Sequence, residues 1–255
     1  MWERRYGFPE PRRTDSGHRR YSDDQVAVVE QVLALRDAGL SLPAAIARAQ
    51  TPPDPEETSM FSALRTLRPE LDARAVRKPI LTALSHAIED EMLVRADARI
   101  MLASFQREAF YRDSEARWRE LASTARVAAV FADFAQPCEY EIGPSEIPIG
   151  RWRQIAREWA LVLYGGRSSI CMVARELAGS NVNTSPAERE FELLWTVDPE
   201  AVRALARIGI MLIRDASPDL GRRAELALTV DSASVPAEQV RLTAAVVNRT
   251  LSLLS

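Results

Sequence analysis

Two strand-length apolar runs, IMLASF (Ile100–Phe105) and VAAVFADF (Val127–Phe134), are separated by a charged stretch long enough for a helix. Runs without polar alternation belong to strands covered on both faces. A helix between two of them is the pattern of a βαβ unit, which needs a sheet with parallel neighbours. The intervening Glu108–Ala125 reads as one amphipathic helix with Phe110, Ser114, Trp118, Leu121 and Ala125 inward.

The flanking segments fit this frame. Pro79–Arg95 reads as a helix with Ile80, Leu84, Ile88 and Met92 inward. In WALVLYGGRSSICMVARE (Trp159–Glu176), two strands meet at a hairpin turn over Gly165-Gly166-Arg167. Ser185-Pro186-Ala187-Glu188 reads as a capping box opening a short helix through Phe191 and Leu194. Asp198-Pro199 caps a further helix with Val202, Leu205, Ile208 and Leu212 inward. Pro236 starts a last helix carrying Val240, Ala244, Val247, Leu251 and Leu254, either a core stripe or a dimerisation face.

The part before residue 58 differs. Thr51–Glu57, TPPDPEE, holds three prolines and cannot continue a helix. It reads as a linker, followed by a short helix with Met60, Phe61, Leu64 and Leu67 on one side. Upstream, the period of Val26, Val29, Val32, Leu33 and Arg36 predicts a helix ending at Gly39, and Ser41 caps a second over Pro43–Ala49. Such a pair buries little apolar surface by itself. The fold class is therefore α+β or α/β: a small helical piece, a linker, and an α/β domain.

The chain opens MWERRYGFPEPRRTDSGHRRY, with six arginines against Glu3, Glu10 and Asp15, although the whole chain carries a net charge of -3. A local basic patch on a mildly acidic protein points to a local polyanion. The spacing WERR-Y-G-F-P-x-P-RRT-x-S-G-x-RRY resembles the MerR family of winged helix-turn-helix regulators. The resemblance implies that Trp2–Tyr6 is the end of a recognition helix. Arg12–Tyr21 would be the wing, closed at Asp15-Ser16-Gly17, and the two helices after it the pair that follows the wing. It assigns DNA contacts to Arg4, Arg5, Tyr6, Arg12, Arg13, Thr14, Ser16, Gly17, His18, Arg19, Arg20 and Tyr21. Side chains of these types donate to phosphates. The family's pattern begins before Met1, so the resemblance implies either a start further upstream or an impaired DNA-binding unit. The family's long dimerisation helix has no counterpart at TPPDPEE, which places any homodimer contact in the C-terminal part.

A second resemblance covers Ser59–Leu212. KPILTALSHAIEDE, SFQREAFYRDSEARWRELA, VFADF, REWALV and LWTVDPEAV are similar to the DICT sensory domain, which implies a non-catalytic signalling role without naming a ligand. The organisation expected is a partial MerR-type module over 1–50, a linker over 51–57, and a DICT-like sensory domain with a C-terminal helix over 58–255. The partners implied are double-stranded DNA and an unknown small ligand or signalling protein. The alternative is a sensory or protein-interaction module that does not bind DNA.

Ligands of open α/β sheets gather at the carboxyl ends of strands. Gln106 and Arg107 follow one buried run and Asp133 ends the other, so these three share a rim if the strands are parallel neighbours. With Trp118 they are the candidate effector residues. Asp133 is equally a polar residue closing a strand, and Trp118, Trp159 and Trp195 are either core or the walls of a pocket for a flat ligand.

Enzymatic readings find little support. The histidines are His18 and His86, and no HExxH, GxSxG, Walker or GxGxxG motif occurs. No cofactor is expected. Cys138 and Cys171 are isolated, which suits a reducing, cytoplasmic setting, and no apolar run reaches membrane-spanning length. Lys78 is the single lysine among 33 basic residues, which reads as compositional bias.

Overall fold

The computed structural model describes residues 2–9, 11–13, 18–21, 25, 28–29, 32–33, 36, 40–50, 59–150, 153–177, 188–229 and 235–255. The chain divides into two compact units, Met1–Asp54 and Pro55–Ser255.

The first unit has helix α1 (Trp2–Tyr6), then strands β1 (Arg12–Arg13) and β2 (Arg19–Arg20) paired antiparallel. Described positions between 25 and 36 are helical, and α2 spans Leu42–Gln50. Phe8, Val32, Ala45 and Ile46 are buried together, with Trp2, Tyr6, Val28, Val29 and Leu42 packed against them. The aromatics of the opening stretch thus anchor it to the helices, as residues of a disordered basic tail would not. Gly7, at φ +66°, makes the turn out of α1. Thr14, Ser16, Gly17 and the expected helix end at Gly39 lie outside the described residues.

The second unit is built on a seven-stranded mixed sheet. Its elements are α3 (Met60–Leu67), β3 (Arg74–Arg77), α4 (Lys78–Arg95), β4 (Ala98–Ser104), α5 (Glu108–Arg112), α6 (Glu115–Ala122), β5 (Val127–Ala132), β6 (Ser145–Pro148), β7 (Glu158–Gly165), β8 (Ser169–Glu176), β9 (Glu190–Thr196), α7 (Pro199–Ala216), α8 (Pro218–Thr229) and α9 (Pro236–Leu254). The strand order is β3-β9-β8-β7-β4-β5-β6, with β4, β5 and β6 parallel and the other pairs antiparallel. The two runs first singled out are thus parallel neighbours, in register from Ile100/Val127 to Ser104/Phe131.

The continuous hydrophobicity of these strands has a direct cause. Ile100, Leu102, Ala129 and Phe131 point to a core shared with α3, α7 and α8. Met101, Ala103, Ala128 and Val130 point to a second core, on the opposite face, with α4, α6 and α9. The hairpin falls between β7 and β8 as expected, and Asp97 organises it by accepting from the backbone N–H groups of Gly166 (3.2 Å, carbonyl) and Arg167 (3.0 Å, carboxylate).

The structure departs from the sequence reading at several places. The short helix through Phe191 and Leu194 is strand β9, because both flanks are satisfied by antiparallel pairing with β8 and β3; Ser185–Ala187 lie outside the described residues. The single helix over Glu108–Ala125 is two, α5 and α6, divided at Asp113–Ser114, so Tyr111 turns into the core and Phe110 is left partly exposed. In α9 the buried residues are Gln239, Leu242 and Val246, while Val240, Val247, Leu251 and Leu254 face solvent. Ile80 is likewise exposed. Among the described residues no helix is long and apolar enough to cross a membrane.

Candidate functional site

Two residues beyond β4 the backbone is strained. Gln106 has φ +62°, a left-handed conformation that side chains beyond glycine, asparagine and aspartate seldom take. Its Nε2 donates to the Arg157 carbonyl at 2.9 Å, which ties the end of β4 to the segment entering β7. Backbone strain of this kind costs about 1–3 kcal/mol and gathers at ligand sites.

Beside Gln106, on the α4 face of the sheet, lies a cavity of about 230 Å³. Helix α4 contributes Lys78, Thr82, Ser85, His86 and Glu89. Phe105 and Gln106 close it at the end of β4, and Phe110, Ser114 and Trp118 come from α5, α6 and the turn between them. Trp159 on β7 and Phe191 on β9 form the far wall, with Arg189 beside them. The aromatics are locked edge-to-face in two pairs, Phe105–Trp118 at 5.8 Å and Trp159–Phe191 at 6.3 Å between ring centroids.

The polar groups of the wall are mostly spoken for. Glu89 is buried and accepts from Arg117 and from Ser85 Oγ (3.3 Å). Burial pushes its carboxyl above the usual carboxylate range, with Arg117 opposing the shift. Arg117 also donates to Asp90 (2.6 Å) and to the His86 carbonyl (3.1 Å). Arg189 is bidentate on Glu176. Two groups stand apart. The Lys78 ammonium lies 5.9 Å from the Phe110 ring centroid and makes no salt bridge with the described residues. The indole Nε1 of Trp118 is buried without a hydrogen-bond partner.

Of the four effector candidates, Gln106 and Trp118 line the cavity and Arg107 and Asp133 do not. Arg107 lies over Phe110, and Asp133 accepts the backbone N–H of Glu108 at 2.6 Å, fastening the start of α5. Trp159 is a wall residue, while Trp195 packs against the core. Lys78, Glu89 and Arg117 belong to no motif, and the one signal the sequence carries for them is the singular lysine. Cys171 is fully buried, and burial pushes its thiol up to about 12, so it is not a reactive thiolate. Among the described residues no group of histidine, cysteine or carboxylate side chains is arranged to hold a metal ion.

The ribbon of the first unit is the other candidate. Arg12 pairs with Arg20 and Arg13 with Arg19 in backbone register, so four arginines share two short antiparallel strands. His18, Arg19, Arg20 and Tyr21 are exposed, as is Arg5, whose guanidinium lies 5.5 Å from the Tyr6 ring centroid. The backbone places Arg4 in α1.

Comparison with known proteins gives two family matches. Residues 1–50 match the MerR HTH family regulatory protein, and residues 58–177 match DICT, a sensory domain in diguanylate cyclases and two-component systems. Among curated proteins, the HTH-type transcriptional repressor CarH of Myxococcus xanthus is 51% identical over 41 residues, 16% of this chain and 14% of that protein. The HTH-type transcriptional repressor CarA of the same organism is 45% identical over 58 residues, 22% of this chain and 20% of that protein. The chain therefore spans a fifth or less of the curated relatives it matches. No solved structure matches it.

Proposed function

We propose that the chain is a transcriptional regulator in which a MerR-type DNA-binding segment answers to a DICT sensory domain through a small molecule held in the cavity beside β4. The observation that carries this reading is the joining of the two matched segments, 1–50 and 58–177, in one chain. The two relatives named above are transcriptional repressors, which supports a DNA-binding role for the first segment. The regulator would act in the cytoplasm and would not be an enzyme.

In this reading the ribbon arginines neutralise phosphates, with Arg5, Tyr6, His18 and Tyr21 beside them. Each phosphate contact releases counterions, so binding weakens as salt rises, with a logarithmic slope of about −0.9 per contact. The test is duplex binding by fluorescence anisotropy across a salt series. Replacing Arg19 and Arg20 by alanine should lower the slope by about two and weaken binding to all sequences alike. Binding that ignores salt, or is unchanged by the double substitution, sinks the assignment.

A second reading, a protein-interaction module, is favoured by the exposed apolar stripe of α9. Within the regulator reading the same stripe is the homodimer contact, which the linker cannot supply.

A further inference from the structure

The size and chemistry of the cavity narrow what it takes, and this step rests on reading it as the sensory site. An apolar cavity of about 150 Å³ encloses one benzene. At about 230 Å³ this one has room for one or two fused rings with a small substituent. Phe105 with Trp118 and Trp159 with Phe191 present rigid aromatic surfaces, which favour a flat ring over a flexible chain.

Charge decides the substituent. Glu89 is taken by Arg117 and Ser85, and Arg189 by Glu176. Asp113 is exposed, so water and salt screen it. Lys78 is half-buried, held over Phe110 and in no salt bridge with a described residue; the nearby Glu176 carboxylate, which its charge helps to hold down, is paired with Arg189. A further donor without a partner, the buried Trp118 Nε1, also calls for an acceptor.

We infer that the cavity binds a planar aromatic acid, one or two fused rings bearing a single carboxylate, with the rings between the aromatic walls and the carboxylate on Lys78. Gln106, strapped to the Arg157 carbonyl, holds the end of β4 against the ring.

The experiment is calorimetric titration of the full chain with three probes of one shape: 1-naphthoate, neutral 1-naphthamide and cationic 1-naphthylmethylamine. Naphthoate should bind at least tenfold more tightly than the amide, and the amine more weakly than either. Lys78→Met should abolish the preference for naphthoate while binding the amide as before, and Lys78→Arg should retain part of it. Thermal melting of the unliganded variants checks their folding, and the three-probe ranking on the unaltered chain stands even if a variant fails to fold. Amide or amine binding as tightly as naphthoate overturns the acid and leaves the cavity as a sensory site. Binding of none of the three overturns both.

Discussion

Glu158 shows how much one side chain carries in this fold. At the start of β7 it is buried, and it accepts from Ser59 Oγ (2.5 Å) and from the backbone N–H groups of Met60 (2.9 Å) and Phe61 (3.3 Å). It therefore satisfies the open donors at the start of α3, a task usually left to a residue next in sequence. Glu158→Ala leaves those donors buried without an acceptor and should cost about 1–3 kcal/mol in urea unfolding. Burial raises the Glu158 pKa, with the three donors opposing. The folded state then binds its proton at a higher pH than the unfolded chain does. The contribution of this group is full below its unfolded value near 4.5 and falls as pH rises through the raised one. Because Glu158→Gln does not titrate, the stability gap favouring the natural residue should narrow as pH rises from about 4.5 through the raised folded-state value. A gap constant with pH would show that Glu158 does not titrate differently in the two states.

Elements whose ends carry their own chemistry were readable from sequence. Asp198 caps α7 as expected, accepting from the N–H groups of Glu200 (3.4 Å) and Ala201 (3.2 Å), with Pro199 in the first turn. It also pairs with Arg68. Asp198→Ala should lower stability by about 0.5–2 kcal/mol, read as a lower melting temperature; an unchanged melting point would mean the cap is dispensable. Elements decided by partners far along the chain were not readable. Glu190–Thr196 becomes β9 because β8 and β3 lie on either side, and the four-residue strands β3 and β6 carry too few residues for a period. The same limit applies to the cavity. Gln106 and Trp118 were found because strand ends and large aromatics stand out, whereas Lys78 and Glu89 enter the wall only through the placement of α4 beside β4 and β7. Asp133 does follow β5 as expected, but it lies outside the cavity lining and caps α5.

At the scale of the whole molecule, assembly turns on α9. Its inner side is held by Leu242 and Val246 in the core and by Arg249 on Glu91 (2.8 Å), while Val240 and Leu251 are 69% and 62% exposed. In the proposed homodimer this stripe is the surface a partner subunit would cover. Leu251→Glu should leave the unfolding transition of the fold nearly unchanged and shift sedimentation from dimer to monomer. A monomeric unaltered chain at tens of micromolar, or a dimer indifferent to the substitution, would discount the stripe.

The lone lysine has a practical side. Because Lys78 is the single lysine of the chain and lines the cavity, an amine-directed acylating reagent has one side chain to modify. A solvent-sensitive dye attached there would sit at the cavity wall without any engineered cysteine. Its rate of attachment would itself report occupancy, since a ligand resting on the ammonium shields it from acylation.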